Sequence, residues 1–194
     1  MRSPFTADGY QSFEELAREH TEGLDYRIHV REPRGSQVAI LAPHGGKIEG
    51  GTSQIATLMA GEEHGLYLFE GLRQSQDNFD RLHLTSRCFD EPRCLALLAR
   101  CEVTLTVHGY REEGPPDVLL GGLHAPLREA LATALRAHGL SVATEGHRYP
   151  GLDPFNVCNR ARSGRGVQME LSTALRRSRQ WSGLVEAVRD VLRG

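Results

Sequence analysis

No run of apolar residues approaches the roughly 20 that a membrane helix needs, and Leu95-Ala96-Leu97-Leu98-Ala99 is the longest aliphatic stretch beside a helical pattern. A charge surplus is missing too. Lys plus Arg number 23 and Asp plus Glu 25, a net charge of −2, whereas a dedicated nucleic-acid binder normally carries a basic excess. The four cysteines, Cys88, Cys94, Cys101 and Cys158, contain no C-x-x-C pair. They read as reduced core thiols, not a disulfide framework. The stretch Met1–Asp8 has no apolar h-region, so no secretory signal is expected and the chain reads as a soluble cytoplasmic protein. There is no G-x-S-x-G elbow, which removes the common serine-hydrolase arrangement. Cys158 and His147 are accompanied by no recognisable cysteine-hydrolase motif. Repeats, linkers and low-complexity stretches are also missing.

What is present is enough for one domain. A chain of 194 residues with 39% hydrophobic content supports a single core spanning residues 1–194. Ser12-Phe13-Glu14-Glu15 has capping-box spacing and opens a short helix. Tyr26, Ile28 and Val30 alternate with polar residues as in a half-exposed strand, while Val38–Ala42 is a continuous apolar run expected to be a strand buried on both faces. A Gly-rich loop is expected next, followed by a helix capped by Thr52 or Ser53. Tyr67–Phe69, Leu82–Thr85, Val103–Val107, Leu140–Ala143 and Val167–Leu171 are further strand candidates. Helices are expected from Asp90 to about Ala99, from Pro126 to about His138 with Gly139 closing it, and over Gly183–Leu192. Arg111–Asp117 is the clearest loop insertion. Strands interleaved with helices imply an α/β fold with an open mixed, mostly parallel sheet flanked by helices.

Two histidines end strands. His44 follows the Val38–Ala42 run after only Pro43, and His108 follows Val107 directly. Ligands of open α/β sheets bind outside the carboxyl ends of the strands. Glycines after each histidine let the backbone turn tightly, and Glu49 lies five residues after His44. Two imidazoles and a carboxylate are a catalytic zinc set with one position left for water. The plain alternative is three unrelated polar surface groups, and pattern alone divides the two readings about evenly. The segment Gly45–Thr52 also resembles a phosphate loop, but Gly51 stands where the lysine is required and Glu49 sets a carboxylate among the phosphate oxygens.

If residues 167–171 are a strand, Gln168, Glu170 and Ser172 share one face. That face is either a solvent-facing polar row on an edge strand or the place of a carboxylate acting as general base for an activated water. Asn159 and Arg160 either brace a loop or hold an anionic substrate group, because a guanidinium presents a fixed fork of donors. His83, between Leu82 and Leu84, reads as a sheet-face histidine, and His124, before Pro126, as a cap-region residue.

The blocks Pro43–Ser53, Val107-His108-Gly109, Gly121-Gly122, Asn156–Arg160 and Gly166–Leu171, in that order and spacing, resemble the zinc-dependent poly-γ-glutamate hydrolase family of bacteriophages and bacteria. That family is similar in fold to the zinc carboxypeptidases. The resemblance covers about residues 38–176. It implies His44, Glu49 and His108 as zinc ligands, Glu170 as the catalytic carboxylate, and a monomer acting on poly-γ-glutamate, with release by lysis if the chain is phage-derived. A polyanionic substrate would favour the arginine-rich 156–160 and 162–165 segments. The His-to-Glu interval of five departs from the interval of three in the wider carboxypeptidase pattern, so the loop around Glu49 must differ from theirs. The competing reading is a non-catalytic module that keeps the fold and binds an anionic polymer.

Overall fold

The structure, a computed structural model, describes residues 9–112 and 115–193. Met1–Asp8, read above for a leader, lies outside the described residues, as do Glu113 and Gly114 of the loop insertion. The strands are β1 (Tyr26–Arg31), β2 (Val38–Gly46), β3 (Gly65–Gly71), β4 (Val103–Gly109), β5 (Val118–Gly121), β6 (Val142–Ala143) and β7 (Gly166–Leu171). They form one sheet in the order β1-β3-β2-β4-β7-β5-β6. The central four, β3-β2-β4-β7, are mutually parallel, while β1 and β5 join them antiparallel and β6 pairs parallel with β5. The expected α/β architecture with a mixed, mostly parallel sheet is what the chain adopts.

Among the described residues, seven α-helices flank the sheet: α1 (Phe13–Glu19), α2 (Thr52–Ala60), α3 (Asn78–Leu82), α4 (Pro92–Leu98), α5 (Ala125–Ala137), α6 (Thr173–Ser178) and α7 (Ser182–Arg193). One face carries Ile40, Ala42, Leu105, Val107, Val167 and Met169, packed with Ile55 and Met59 of α2, Leu131 and Leu135 of α5 and Leu184 and Val188 of α7. The other face carries Ala39, Leu41, Tyr67 and Phe69, packed with Leu16 of α1, Leu82 of α3 and Leu97 of α4. After β2 the chain crosses by α2 to β3 on one side. It then returns by α4, on the opposite face, to β4 on the other side of β2. The carboxyl ends of β2 and β4 therefore flank a topological switch point, where open α/β sheets leave a crevice. Among the described residues, no helix is long and apolar enough to cross a membrane.

Several sequence expectations shift. Leu82–Thr85 is not a strand: Leu82 ends α3, and its alternation with Leu84 arises because both leucines are buried on either side of a helix terminus. The cap of α2 is Gly51, with φ of 98°, while Thr52 directs its hydroxyl to the carbonyl of Glu49 at 2.9 Å. Glu91, not Asp90, caps α4 by accepting from the backbone N–H of Cys94, and Asp90 instead accepts from Phe13. Leu140–Ala143 shrinks to a two-residue strand. The short strand β5 and helix α6 were not anticipated, because three apolar residues and a six-residue helix leave no readable period. His124 does cap α5, accepting from Leu127.

The largest departure is at β2, which does not stop at Ala42 but continues through Gly46. Its pairing with β3 slips between Ala42↔Leu68 and Gly45↔Glu70, so three steps on β2 face two on β3. Pro43 sits in this bulge, one of the few sheet positions a residue without an N–H tolerates. Past the bulge the β2 backbone runs against β3 closely. Gly46 has φ of 63°, and a Cβ there would stand 2.6 Å from the carbonyl oxygen of Gly71 and 2.9 Å from its nitrogen. Gly46→Ala is therefore expected to lose roughly 2 kcal/mol or more of stability, from left-handed strain plus a backbone clash. A thermal melt within measurement error of the parent would show that β2 and β3 separate there without cost.

Candidate metal centre and active site

Alternation along β2 would send His44 to the same face as Ile40 and Ala42. The bulge reverses this, and His44 emerges on the opposite face, where its ring meets Phe89 edge-on and its Nε2 lies 2.8 Å from the carbonyl of Leu84. His108 reaches the same face by ordinary alternation from Thr104 and Thr106, and pairs in register with Glu170 on β7. Glu49 arrives from the turn between β2 and α2, whose backbone N–H bonds back to the carbonyl of His44 at 2.9 Å. The tight turn supplies the five-residue interval that separates this loop from a three-residue spacing.

The three groups converge. His44 Nδ1 lies 3.2 Å from Glu49 Oε1 and 3.1 Å from His108 Nδ1, and His108 Nδ1 lies 3.8 Å from Glu49 Oε2. Ligand atoms held ~2.0–2.1 Å from a tetrahedral zinc stand roughly 3.3 Å apart, so these closest approaches, which involve both oxygens of Glu49, are on the scale of a zinc coordination shell. Both rings are also oriented from behind. The Nε2 of His44 lies 2.8 Å from the Leu84 carbonyl and the Nε2 of His108 3.4 Å from Ser86 Oγ, partners that leave each Nδ1 turned towards Glu49. Glu49 Oε2 accepts from the backbone N–H of Gly109 at 2.8 Å, which fixes the carboxylate. Donor type, separation and backing all fit a zinc-sized cation.

Electrostatics points the same way. Burial would hold the His44 imidazole down, but the Glu49 charge and its hydrogen bonds to Glu49 and Leu84 carry it above the usual histidine range. His108 is pushed well below that range by burial and by the neighbouring His44. A proton is therefore shared out unequally between two rings that face each other.

Glu170 is not on an edge strand. β7 lies between β4 and β5, is buried along its whole length, and turns Gln168 and Glu170 into a cleft of about 710 Å³ that also contains His44, Glu49 and His108. Burial, then the charge of Glu49, raises the Glu170 carboxyl well above the usual range, against the pull of Arg176. Gln168 donates to Glu170 Oε1 at 3.2 Å, and Asn156 donates to Gln168 Oε1 at 2.8 Å.

Asn159 and Arg160 are elsewhere. Asn159 is fully used inside the fold: its Oδ1 accepts from Leu123 and Gly166, and its Nδ2 donates to the carbonyls of Gly151 and Asp153. The Arg160 guanidinium donates to the carbonyl of Phe89 at 3.3 Å and does not line the cleft. Both brace loops, the plainer of the two readings. Arg162 of the neighbouring segment pairs with Glu102. Cys158 is no nucleophile, since burial pushes its thiol up to about 12.

Two residues enter that the sequence pattern did not offer. His83 stacks between Phe79 and His44, with ring centroids 4.4 Å and 4.1 Å away, and its donor atom lies within 4.8 Å of those of His44 and Glu49. Burial and the His44 charge lower it to about 3, so it stays neutral. Since the short separation from His44 and the backing contact with Ser86 belong to His108, we take His83 as the cleft wall beside the site. Asn156 was seen only as part of a polar loop, and its place behind Gln168 has no local signature.

A family model described as poly-gamma-glutamate hydrolase matches residues 10–181. YndL of Bacillus subtilis strain 168 is 37% identical over 180 residues, covering 92% of this chain and 69% of YndL. The prophage-derived YoqZ of the same strain is 38% identical over 177 residues, covering 90% of this chain and 62% of YoqZ. Among solved structures, a bacteriophage poly-gamma-glutamate hydrolase superposes with a TM-score of 0.88 at 31% identity, covering 95% of this chain and 96% of that one. The zinc-free form of YndL superposes at 0.87 with 33% identity, covering 96% and 98%.

The raised Glu170 carboxyl has a definite sign for stability. Its folded value lies above the unfolded one, so its contribution is complete below the ordinary carboxylate range and is lost as pH rises through the folded value. Gln resembles the protonated form. In chelator-treated protein, Glu170→Gln is expected to melt at or above the parent near pH 8, with the difference closing towards about pH 4. A parent that instead gains on the variant as pH rises would mean that Glu170 is held as a carboxylate without metal.

Proposed function

The chain belongs to the poly-gamma-glutamate hydrolase family, and from that premise we propose that it is a zinc-dependent hydrolase cleaving γ-glutamyl amide bonds of poly-γ-glutamate. His44, Glu49 and His108 hold the zinc. The observation that carries the reading is the convergence of His44 Nδ1, the Glu49 carboxylate and His108 Nδ1, with closest approaches of 3.1, 3.2 and 3.8 Å, on the cleft that contains Glu170.

Zinc in that position supplies a Lewis acid that acidifies water towards pKa ~7 and polarises the scissile carbonyl. Glu170, which shares the cleft with the triangle, takes the proton of the attacking water at its carboxylate and returns it to the nitrogen of the leaving amine. With a divalent cation held by His44, Glu49 and His108, the Glu170 carboxyl would be favoured in its ionised form and able to accept that proton. Gln168, donating to Glu170 Oε1, keeps that carboxylate turned into the cleft. The backing bonds from Leu84 and Ser86 hold the imidazoles so that metal capture needs no rotamer change. His83 and Phe79 form the wall that limits water access on one side.

Substitution separates ligand from base. His44→Ala and His108→Ala are each expected to lose zinc and turnover together, because each removes one of three protein ligands. Glu170→Gln is expected to keep stoichiometric zinc by elemental analysis while losing about 10²–10⁴-fold in kcat on poly-γ-glutamate. An empty site in Glu170→Gln would make Glu170 a ligand. A zinc-loaded parent that binds the polymer and leaves its length unchanged would return the chain to the binding-module reading.

A further inference from the structure

A second cavity, of about 840 Å³, opens beside the metal-centre cleft. Arg111, Arg176, Arg177 and Arg179 line it with Trp181 and Gln54, and no Asp or Glu is among the described residues that line it. The two spaces are neighbours by construction. Arg111 lines both, Glu49 of the metal triangle is followed directly by Gly50 and Gly51 of the basin, and Gly109 after His108 packs against Arg176.

Arg176 is the partition between them. Its Nη1 donates to the carbonyl of Gly50 at 2.8 Å, its Nε to Leu171 at 3.1 Å and its Nη2 to Tyr110 at 3.2 Å. A Cβ on Gly109 would stand 2.5 Å from that guanidinium, so the glycine is what lets the cation lie against the end of β4. Arg111 is steadied in another way, its guanidinium over the Phe79 ring at 4.6 Å from the centroid. Arg179, just past α6, holds a left-handed backbone with φ of 54°, which turns the chain sharply between Arg177 and Trp181. A protein of net charge −2 thus gathers four of its arginines at one mouth of its cleft.

We propose that this basin is a polyanion subsite that binds the free α-carboxylates of γ-linked glutamate residues lying beyond the scissile bond. The inference rests on the poly-γ-glutamate reading of the neighbouring metal centre. Each γ-linked residue carries a carboxylate outside the chain backbone, and guanidinium forks match carboxylates in geometry as well as charge. Because the basin sits outside the cleft, it engages residues away from the bond being cut and favours long chains over short ones. Local charge of this kind attracts a polyanion despite a slightly negative whole, and its pull weakens with salt.

The test is the double variant Arg177→Gln/Arg179→Gln, read in two ways. The ratio of kcat/KM on long poly-γ-glutamate to kcat/KM on a γ-linked diglutamate is expected to fall about tenfold, with KM on the polymer losing its salt dependence. The Kd of chelator-treated, zinc-free protein for poly-γ-glutamate, by titration calorimetry, is expected to weaken by a similar factor. Arg177→Lys/Arg179→Lys is expected to recover most of the binding, which guards against a variant that merely folds badly. An unchanged ratio with an unchanged Kd overturns the subsite while leaving the hydrolase reading intact. Equal losses on long and short substrates overturn it as well. If the parent cleaves neither substrate but the double variant still weakens polymer binding, the hydrolase reading falls and the polyanion basin stands.

Discussion

His44 lies on the productive face of the sheet only because β2 carries an extra residue between Ala42 and Gly45. Strict alternation from Ile40 and Ala42 would turn the imidazole to the α2 face of the sheet, away from His108 and Glu170. With the bulge, the ring swings to the face where His108 already points and where Glu49, Gln168 and Glu170 can meet it. Pro43 and the two following glycines are the chemistry of that device. Proline needs no ladder partner at a bulge, Gly46 supplies a φ of 63°, and neither glycine leaves room for a side chain against β3. The metal triangle, its backing bonds and the adjoining basin all depend on this one irregularity.

The second constraint is charge. Glu49 and Glu170 are both buried in one cleft, together with His44 and His108. Burial and the nearby charge of Glu49 raise the Glu170 carboxyl, while the same charge carries the His44 imidazole above its usual range. A divalent cation held there would offset that burden by direct coordination, and its capture would be coupled to proton release. Arg176 contributes to the balance from the partition, at the cost of a guanidinium whose own affinity for its proton is lowered by burial.

Much of this was readable before any coordinates. The apolar runs of β2 and β4, each ending on a histidine, and the alternation of β7 placed His44, His108 and Glu170 at carboxyl ends of strands, because strand periodicity is a local signal. The ordered blocks supplied the family. What was illegible depended on which loops meet. Asn159 and Arg160 stand seven and six residues before Gly166 in sequence, yet the turn at Val157–Asn159 sends them under the loops and away from the cleft. The cations that do line it, Arg87, Arg111 and Arg148, come from three loops well separated in sequence. No local pattern announces such a meeting. His83 was misjudged because two buried leucines flanking it imitate a strand.

The orientation of Glu170 shows how far a single backbone donor can reach. Amide oxygen and nitrogen are interchangeable in shape, so a chain of side-chain amides has no direction until something fixes one end. Here the end is fixed by Cys158, whose backbone N–H can only donate and is accepted by Asn156 Oδ1 at 3.1 Å. Asn156 must then present its NH₂ to Gln168, which receives it on Oε1 at 2.8 Å. Gln168 is left with its own NH₂ facing Glu170, 3.2 Å from Oε1. The chain thus delivers a donor, not an acceptor, to the carboxyl group. A donor favours the ionised form and opposes the burial that would keep the group protonated. Reversed, the same three residues would offer Glu170 an acceptor and stabilise the acid. The backbone N–H of Cys158 at one end, and the Tyr149 carbonyl that also accepts from Gln168 Nε2 at 3.4 Å, together set the direction in which this amide chain meets Glu170.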